Sequence, residues 1–229
     1  MSTAATGRVA AIIPAAGSGV RLGADVPKAF LELGGLSLLT RSALAMSTVA
    51  DVLIIAAPVD GLDEASAQVA QVDAEIHIVA GGEHRQESVA NALRMVPEDV
   101  SIVLVHDAAR PLVPIEVTQN VVAAIRGGAK AAIPVLPLVD TIKRVNNQGI
   151  AIETVDRNQL RRVQTPQGFD RATLDLAYRN PEVVATDDAG LMDALGIPVV
   201  TVAGDERSLK ITTMADVQHA LSLLEATSE

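Results

Sequence analysis

The sequence predicts an α/β fold in which helices flank a doubly wound, mostly parallel β-sheet. One observation is that short apolar runs recur roughly every 25 residues along the chain. They are apolar at nearly every position, which is typical of strands covered by helices on both faces. The other observation is that helical patterns separate these runs, and alternating βαβ units form parallel sheets with right-handed crossovers. We therefore expect one domain over residues 1–229.

The predicted elements alternate along most of the chain. The first strands are expected at residues 9–14, 52–57, 75–79, 101–105 and 131–136. The helices between them are expected at residues 37–47, 62–70, 85–96 and 115–126. The later part of the chain adds helices at residues 171–179, 187–195 and 215–226, and strands at 199–202 and 208–211.

Residues 139–155 break this alternation. Two β-rich runs enclose an Asn146-Asn147-Gln148-Gly149 turn, which predicts a β-hairpin. An isolated hairpin is only marginally stable, so its apolar positions need a partner. The hairpin either folds back on its own domain or forms a protruding arm, over about residues 138–160, that embraces a second subunit.

The composition excludes several classes of protein. The 229 residues contain no cysteine, which excludes thiol catalysis, thiolate zinc sites and disulfides. Phe30, Phe169 and Tyr178 are the only aromatic residues, too few for a base-stacking surface, and the net charge of −10 disfavours nucleic acid as a partner. No apolar window reaches the roughly 18 residues of a membrane span. We expect a cytoplasmic protein with no membrane partner.

A glycine-rich loop follows the first strand, from Pro14 to Lys28. Its backbone N–H groups would face a ligand at the carboxyl edge of the sheet, where glycine allows a phosphate to approach. A dinucleotide fingerprint is disfavoured because the third glycine, Gly23, comes one residue late, and no P-loop pattern is present. The loop carries two cations, Arg21 and Lys28, so it predicts a phosphate site. The alternative is a tight turn with surface cations.

Asp107 follows the strand at residues 101–105, where α/β proteins bind ligands. A carboxylate there suits Mg²⁺, which binds one or two carboxylates together with substrate phosphates, and Arg110 can reach a second anion. The alternative is that Asp107 caps the following turn. His106 is either a ligand or base, or a packed histidine at the strand end, and we favour the packed histidine.

Other polar stretches give weaker signals. The strand at residues 75–79 ends in Gly81-Gly82 before a helix, and Arg85 and Ser88 lie one helical turn apart, so both can face one ligand. Lys210 stands alone in an apolar run, and its ordinary interpretation is a surface lysine.

No nucleophile elbow or metal-binding helix motif is found. Nucleotidyl transfer to a phosphate monoester fits, because that acceptor is largely a dianion at neutral pH, with a second pKa of about 6, and needs no general base.

Together the motifs resemble a known family. The loop PAAGSGVRLGADVPK resembles the signature of sugar-phosphate nucleotidyltransferases, whose fold is nucleotide-diphospho-sugar transferase-like. With VHDAARP, DTIK, VDRN, QTPQGF, TDDA and LKIT in the same order, the chain resembles the 2-C-methyl-D-erythritol 4-phosphate cytidylyltransferases from about residue 9 to about residue 224.

The resemblance implies a role for each motif. It implies CTP and methylerythritol phosphate as substrates, Mg²⁺ as cofactor, and a homodimer in which the arm brings Arg157 to the neighbour's site. Arg21 and Lys28 would stabilise the transition state, Arg157 and Lys210 would aim the acceptor phosphate, and Asp107 would hold Mg²⁺. The implied nucleotide-binding residues are Pro14, Ala15, Ala16, Gly17, Gly19, Gly82, Glu83, Ser88 and Ala108. The implied acceptor-binding residues are Arg110, Thr141, Arg157, Thr165, Thr186 and Lys210.

Two alternatives stay open at this point. A ribitol-5-phosphate cytidylyltransferase would share the fold and the CTP loop, and a non-catalytic nucleotide-sensing module would bind CTP without turnover. Glu83 stands where aspartate is common in the family, which leaves a side-chain contact of Glu83 to CTP open. We expect the chain to lack the cyclase domain that is fused to some family members.

Overall fold

The computed structural model describes residues 7–17, 27–179 and 185–227, and contains the predicted central sheet. The strands in chain order are β1 Arg8–Pro14, β2 Glu32–Leu33, β3 Leu36–Ser37, β4 Val52–Ala57, β5 Glu75–Ala80, β6 Val100–Val105, β7 Ala131–Pro137, β8 Ile142–Val145, β9 Ala151–Val155, β10 Arg161–Val163, β11 Gln167–Asp170 and β12 Val199–Ala203. The helices are α1 Leu38–Ser47, α2 Leu62–Val69, α3 Arg85–Leu93, α4 Ile115–Arg126, α5 Arg171–Tyr178, α6 Asp188–Ala194 and α7 Met214–Thr227.

The eight-stranded sheet has the order β10-β7-β11-β6-β1-β4-β5, and β12 also pairs with β7. The pairs β6·β1, β1·β4, β4·β5 and β7·β12 are parallel. The short strands β10 and β11 run antiparallel to their neighbours. The prediction of a mostly parallel, doubly wound sheet is therefore confirmed.

Helices cover both faces of this sheet. Along β1, Ile13 joins a buried cluster with α1, α2 and α4, whereas its neighbour Ile12 joins another with α3, α5 and α6. Successive side chains of a strand point to opposite faces, so a strand buried on both faces must be apolar at every position. This explains why continuous apolar runs located the parallel strands.

The hairpin protrudes from the domain. β8 and β9 pair only with each other within the described residues, in a two-stranded antiparallel sheet. Val145, Ile150 and Ile152 are each more than half exposed. Within the described residues of the single chain, this hairpin therefore does not join the sheet of its own domain, and these three apolar side chains are uncovered.

The predicted strand at residues 208–211 is wrong. Ser208 ends a 3-10 turn, Glu206–Ser208, in which the Asp205 side chain accepts a hydrogen bond from the backbone N–H of Arg207. The next residues run in an irregular path, along which the N–H of Ile211 donates to the carbonyl of Ala109 at 2.8 Å. Ile211 itself is fully buried against α7. The apolar alternation therefore marks burial here without a neighbouring strand to pair with.

Candidate active site

A cavity of about 490 Å³ opens at the carboxyl ends of β1, β5 and β6. This is the edge where open α/β sheets bind ligands, because the loops that follow the parallel strands converge there. Eleven of the residues predicted from the sequence line it: Pro14, Ala15, Ala16, Gly17, Lys28, Gly82, Glu83, Ser88, Asp107, Ala108 and Lys210.

Two glycine turns form one wall of the cavity. A Cβ atom on Gly81 would lie 2.4 Å from the Cβ of Ala16, so only glycine lets the turn after β5 approach the turn after β1 this closely. The N–H of Gly82 donates to the hydroxyl of Ser88 at 3.0 Å, and this hydroxyl donates to the carbonyl of His84 at 3.2 Å. Ser88 therefore shapes the turn from the first helical turn of α3.

Asp107 lies among three cations at the end of β6. Its Oδ1 accepts from Nε of Arg85 at 3.0 Å, its Oδ2 lies 2.7 Å from Nζ of Lys210, and Nε of Arg110 is 3.9 Å from Oδ2. Burial alone would raise the pKa of Asp107, but Arg85, Lys210 and Arg110 outweigh it and hold this pKa well below its usual value. The carboxylate is therefore ionised at neutral pH. The alternative that its side chain caps the following turn is not what the structure shows.

A buried hydrogen-bonded group supports Asp107 from behind. The backbone N–H of Asp107 donates to the hydroxyl of Thr165 at 3.1 Å, and this hydroxyl is 3.1 Å from Nδ1 of His106. Nε2 of His106 is 3.1 Å from the carbonyl of Arg110, which can only accept, so the ring carries its proton on Nε2. Burial lowers the pKa of His106 to about 4, so the ring is neutral. His106 is the packed histidine that the sequence favours.

Arg110 joins three segments beneath the cavity. Its Nη1 donates to the carbonyl of Ser208 at 2.7 Å and its Nη2 to that of Val163 at 3.3 Å. These bonds tie β10 and the 3-10 turn before Lys210 to the loop of Asp107. In this chain alone, Arg110 therefore contacts backbone carbonyls and Asp107 beneath the cavity and is absent from its lining.

The remaining predicted acceptor residues lie outside the cavity lining. Thr141 and Arg157 are exposed at the base of the arm, where Nη1 of Arg157 donates to the carbonyl of Val139. Thr186 is exposed and immediately precedes Asp187, the N-cap of α6. Gly19 and Arg21 lie outside the described residues.

The sequence reasoning missed the ion pairs of Arg85. Besides Asp107, Arg85 reaches Asp188 with Nη1 at 2.7 Å from Oδ2, and the Asp188 side chain is only 1% exposed. The helical spacing of Arg85 and Ser88 pointed to the correct face of α3. Its second carboxylate partner, Asp188, lies in the TDDA motif 103 positions further along the chain, and nothing in the sequence indicates that the two residues pair.

Two glutamines also have a structural role that the sequence did not show. Gln167 donates to Asp187 at 2.7 Å and accepts from the N–H of Ala189 at 3.0 Å. Gln164 donates to the carbonyl of Asp205 and accepts from its N–H. They fasten the segments that lead to Thr186 and Lys210.

The donor set at Asp107 suits a magnesium ion shared with a substrate. Within residues 7–17, 27–179 and 185–227 no cluster of three or more His, Asp or Glu side chains forms a closed metal site. Mg²⁺ is commonly bound by one or two carboxylates together with phosphate oxygens and waters. Asp107, an ionised carboxylate that lines the cavity, fits that pattern.

This fold and this site define a nucleotidyltransferase-like α/β enzyme, in which glycine turns and cations meet at the carboxyl edge of a mostly parallel sheet. Residues 9–226 match the family described as IspD: 2-C-methyl-D-erythritol 4-phosphate cytidylyltransferase. The chain belongs to this family.

Individual relatives agree with the family assignment. The 2-C-methyl-D-erythritol 4-phosphate cytidylyltransferase of Frankia casuarinae is 48% identical over 96% of this chain and 82% of its own length. That of Saccharopolyspora erythraea is 46% identical over 94% of this chain and 99% of its own length. The crystal structure of the enzyme from Thermus thermophilus has a TM-score of 0.78 and 35% identity, covering 95% of this chain and 99% of that one. Neither alternative function is favoured by these relatives.

No helix in the described part of the chain combines the length and the apolar character that crossing a membrane requires.

Proposed function

We propose that this chain transfers the cytidylyl group of CTP to 2-C-methyl-D-erythritol 4-phosphate, giving 4-CDP-2-C-methyl-D-erythritol and pyrophosphate. The observation that carries the proposal is the joint placement of Lys28, Asp107 and Lys210 around one cavity whose wall is built from two glycine turns. Such a site neutralises and orients phosphates without an activated protein nucleophile.

The nucleotide would bind along the glycine turns. Amides of Ala15, Ala16 and Gly17 would face the triphosphate, and Pro14, Gly19 and Ala108 would complete its contacts. Gly82, Glu83 and Ser88 would contact cytosine or ribose. The turn that Ser88 fixes by two hydrogen bonds supports this assignment, because a rigid backbone can select a base at low entropic cost.

The acceptor phosphate would attack the α-phosphorus in line. It is largely a dianion at neutral pH, so the chain must supply orientation and positive charge rather than a base. Lys210 and Arg157 would hold the acceptor phosphate, and Lys28 together with Arg21 would stabilise the charge that develops at α-phosphorus. Thr141, Thr165, Thr186 and Arg110 would shape the acceptor pocket. No covalent enzyme intermediate is needed.

Asp107 would hold Mg²⁺ against the triphosphate. The metal would neutralise phosphate charge and help to orient the leaving pyrophosphate. Asp107 is suited to this because its pKa is held low, Arg85 orients its carboxylate, and the Thr165 hydroxyl holds its backbone N–H.

The metal assignment predicts a change in CTP binding. Mg²⁺ is expected to tighten CTP binding to the wild type and to have at least about tenfold less influence on Asp107→Asn, because that variant loses the anionic ligand. Calorimetric titration with CTP, with Mg²⁺ and with EDTA, measures both affinities. An equal Mg²⁺ effect in the two proteins would contradict the role of Asp107.

A homodimer through the arm explains where the missing acceptor residues come from. Arg157 and Thr141 lie at the base of the arm and not in the cavity lining of their own chain. The apolar side chains of the arm, Val145, Ile150 and Ile152, are exposed in the single chain and need a covering surface. We propose that the arm, about residues 138–160 of a single nucleotidyltransferase domain, carries Arg157 to the partner's cavity.

The acceptor is tested by comparing two phosphate monoesters in parallel. Pyrophosphate release is measured with CTP, Mg²⁺ and either methylerythritol 4-phosphate or ribitol 5-phosphate. Release with the methylerythritol ester alone is the expected result. Release with ribitol 5-phosphate alone would keep the CTP site and overturn the assignments of Thr141, Arg157 and Thr165. CTP binding without release from either acceptor would support a sensing module instead. The cytoplasmic location stays a prediction.

A further inference from the structure

A continuous series of polar contacts runs from α5 to Asp107, and its last two members, Arg85 and Asp107, line the cavity. The hydroxyl of Tyr178 donates to Oδ1 of Asp188 at 2.5 Å, and Nη1 of Arg85 donates to Oδ2 of Asp188 at 2.7 Å. Nε of the same guanidinium donates to Oδ1 of Asp107 at 3.0 Å. Arg85 therefore joins α6 and α5 to the carboxylate at the end of β6.

We propose that Arg85 is a positioning residue for the cytidylyl transfer, which fixes the orientation of the Asp107 carboxylate while Asp188 and Tyr178 hold its guanidinium. The inference rests on the proposed function, because Asp107 acts there on the nucleotide phosphates. The sequence pattern indicated only that Arg85 can face a ligand together with Ser88, and the family resemblance gave Arg85 no role.

Asp188 is the fixed end of this arrangement. Its side chain is almost completely buried, and among the described residues Arg85 is its only ion-pair partner. Burial and the neighbouring Asp188 raise the pKa of Tyr178, so its hydroxyl keeps its proton and donates it to the carboxylate. A buried carboxylate with two such donors has little freedom to move, and the guanidinium bound to it is held equally firmly.

The geometry requires arginine in particular. Two nitrogen atoms of one rigid plane reach two different carboxylates, so the position of Asp188 determines that of Asp107. Arg85 binds Oδ1 of Asp107, and Lys210, which also lines the cavity, contacts Oδ2. A lysine at position 85 would keep the charge, but its single nitrogen cannot bridge both carboxylates in this way.

The location of Arg85 in the helix also points to a specific role. Arg85 is the first residue of α3, where the helix dipole disfavours a cation. Its two carboxylate partners compensate for this placement. A side chain that served only solubility would gain nothing from this position.

The test is a double-mutant cycle between Arg85→Lys and Asp107→Asn. Each variant and the double variant are measured for kcat with CTP and methylerythritol 4-phosphate, and for the Mg²⁺-dependent change in CTP Kd. Arg85→Lys is expected to lower kcat about tenfold and to weaken the Mg²⁺ effect in the wild-type background. In the Asp107→Asn background it is expected to change both by less than about twofold, because Arg85 acts through Asp107.

Two further variants complete the design. Asp188→Asn keeps the shape of the side chain that binds Arg85 but removes its charge, and it is expected to reproduce the pattern of Arg85→Lys. It replaces Arg85→Lys in the cycle if that variant does not fold. Arg94→Lys, at the exposed C-terminal end of α3, is the matched control and should behave as the wild type.

The proposal would be overturned if the effects of Arg85→Lys and Asp107→Asn were independent of each other, or if Arg85→Lys had no effect. If Arg85→Lys retains wild-type values, or if its effect multiplies in full with that of Asp107→Asn, Arg85 does not act through Asp107. The same holds if Asp107→Asn changes neither readout. A wild type that makes no product from methylerythritol 4-phosphate would refute the proposed function. The double-mutant cycle measured by the Mg²⁺-dependent change in CTP Kd would still decide the role of Arg85.

Discussion

Replacing Lys28 by methionine is expected to lower kcat about 100- to 1,000-fold, as does the loss of one group that stabilises transition-state charge in other enzymes. Lys28, in the 3-10 turn Lys28–Phe30, lines the same cavity as the Asp107–Lys210 ion pair. Because its charge would matter most when charge develops at α-phosphorus, the Kd for CTP should change by less than about tenfold. Steady-state pyrophosphate release and calorimetry give the two values.

The control for this variant is Lys130→Met. Lys130 is an exposed lysine just before β7, paired with Asp170 at 3.3 Å, and its loss should leave kcat unchanged. If Lys28→Met weakens CTP binding by as much as it lowers kcat/KM, with kcat itself unchanged, Lys28 serves binding only and its transition-state role is wrong.

Replacing Arg157 by alanine is expected to lower kcat/KM for the acceptor about 100-fold or more, because the acceptor phosphate loses a cation that orients it. The variant should bind CTP as the wild type does, since Arg157 would hold the acceptor phosphate and not the nucleotide. Arg144→Ala is the matched control on the same arm, where Arg144 pairs with Glu153 away from the base. An equal loss in Arg144→Ala would mean that the arm, and not Arg157, is responsible.

Mixed dimers decide whether Arg157 acts across the subunit boundary. A dimer of one Arg157→Ala and one Lys28→Met subunit contains one intact site if the arm serves the partner, and none if it serves its own chain. Random pairing of equal amounts should therefore restore about a quarter of wild-type activity. The absence of any recovery in confirmed mixed dimers would contradict the exchange.

The sequence predicted the parallel part of the sheet because that part is determined locally. β1, β4, β6 and β7 are almost entirely buried, and a run of apolar residues is sufficient to locate each of them, whereas the edge strand β5 is half-buried. β10 and β11 were missed, because both depend on long-range antiparallel pairing. β10, Arg161–Val163, is exposed and basic, and β11 contains Gly168 against Val121 of α4.

The candidate site, like the sheet, was predictable only where local sequence determines it. Residues that directly follow a parallel strand, such as Ala15, Gly82 and Asp107, were placed correctly because strand ends converge at one edge. Interactions between distant segments were not predictable. The pairing of Arg85 with Asp188 depends on how α6 packs against the sheet, and no spacing in the sequence records it.

The central claim is that cations and geometry alone carry the transfer, with no protein nucleophile. The stereochemistry at α-phosphorus tests it most directly. CTP that carries sulfur on the α-phosphorus in one configuration is converted with methylerythritol 4-phosphate, and the configuration of the product is determined by phosphorus NMR. A single in-line displacement predicts inversion. Retention would require two displacements through a covalent enzyme intermediate and would contradict the account.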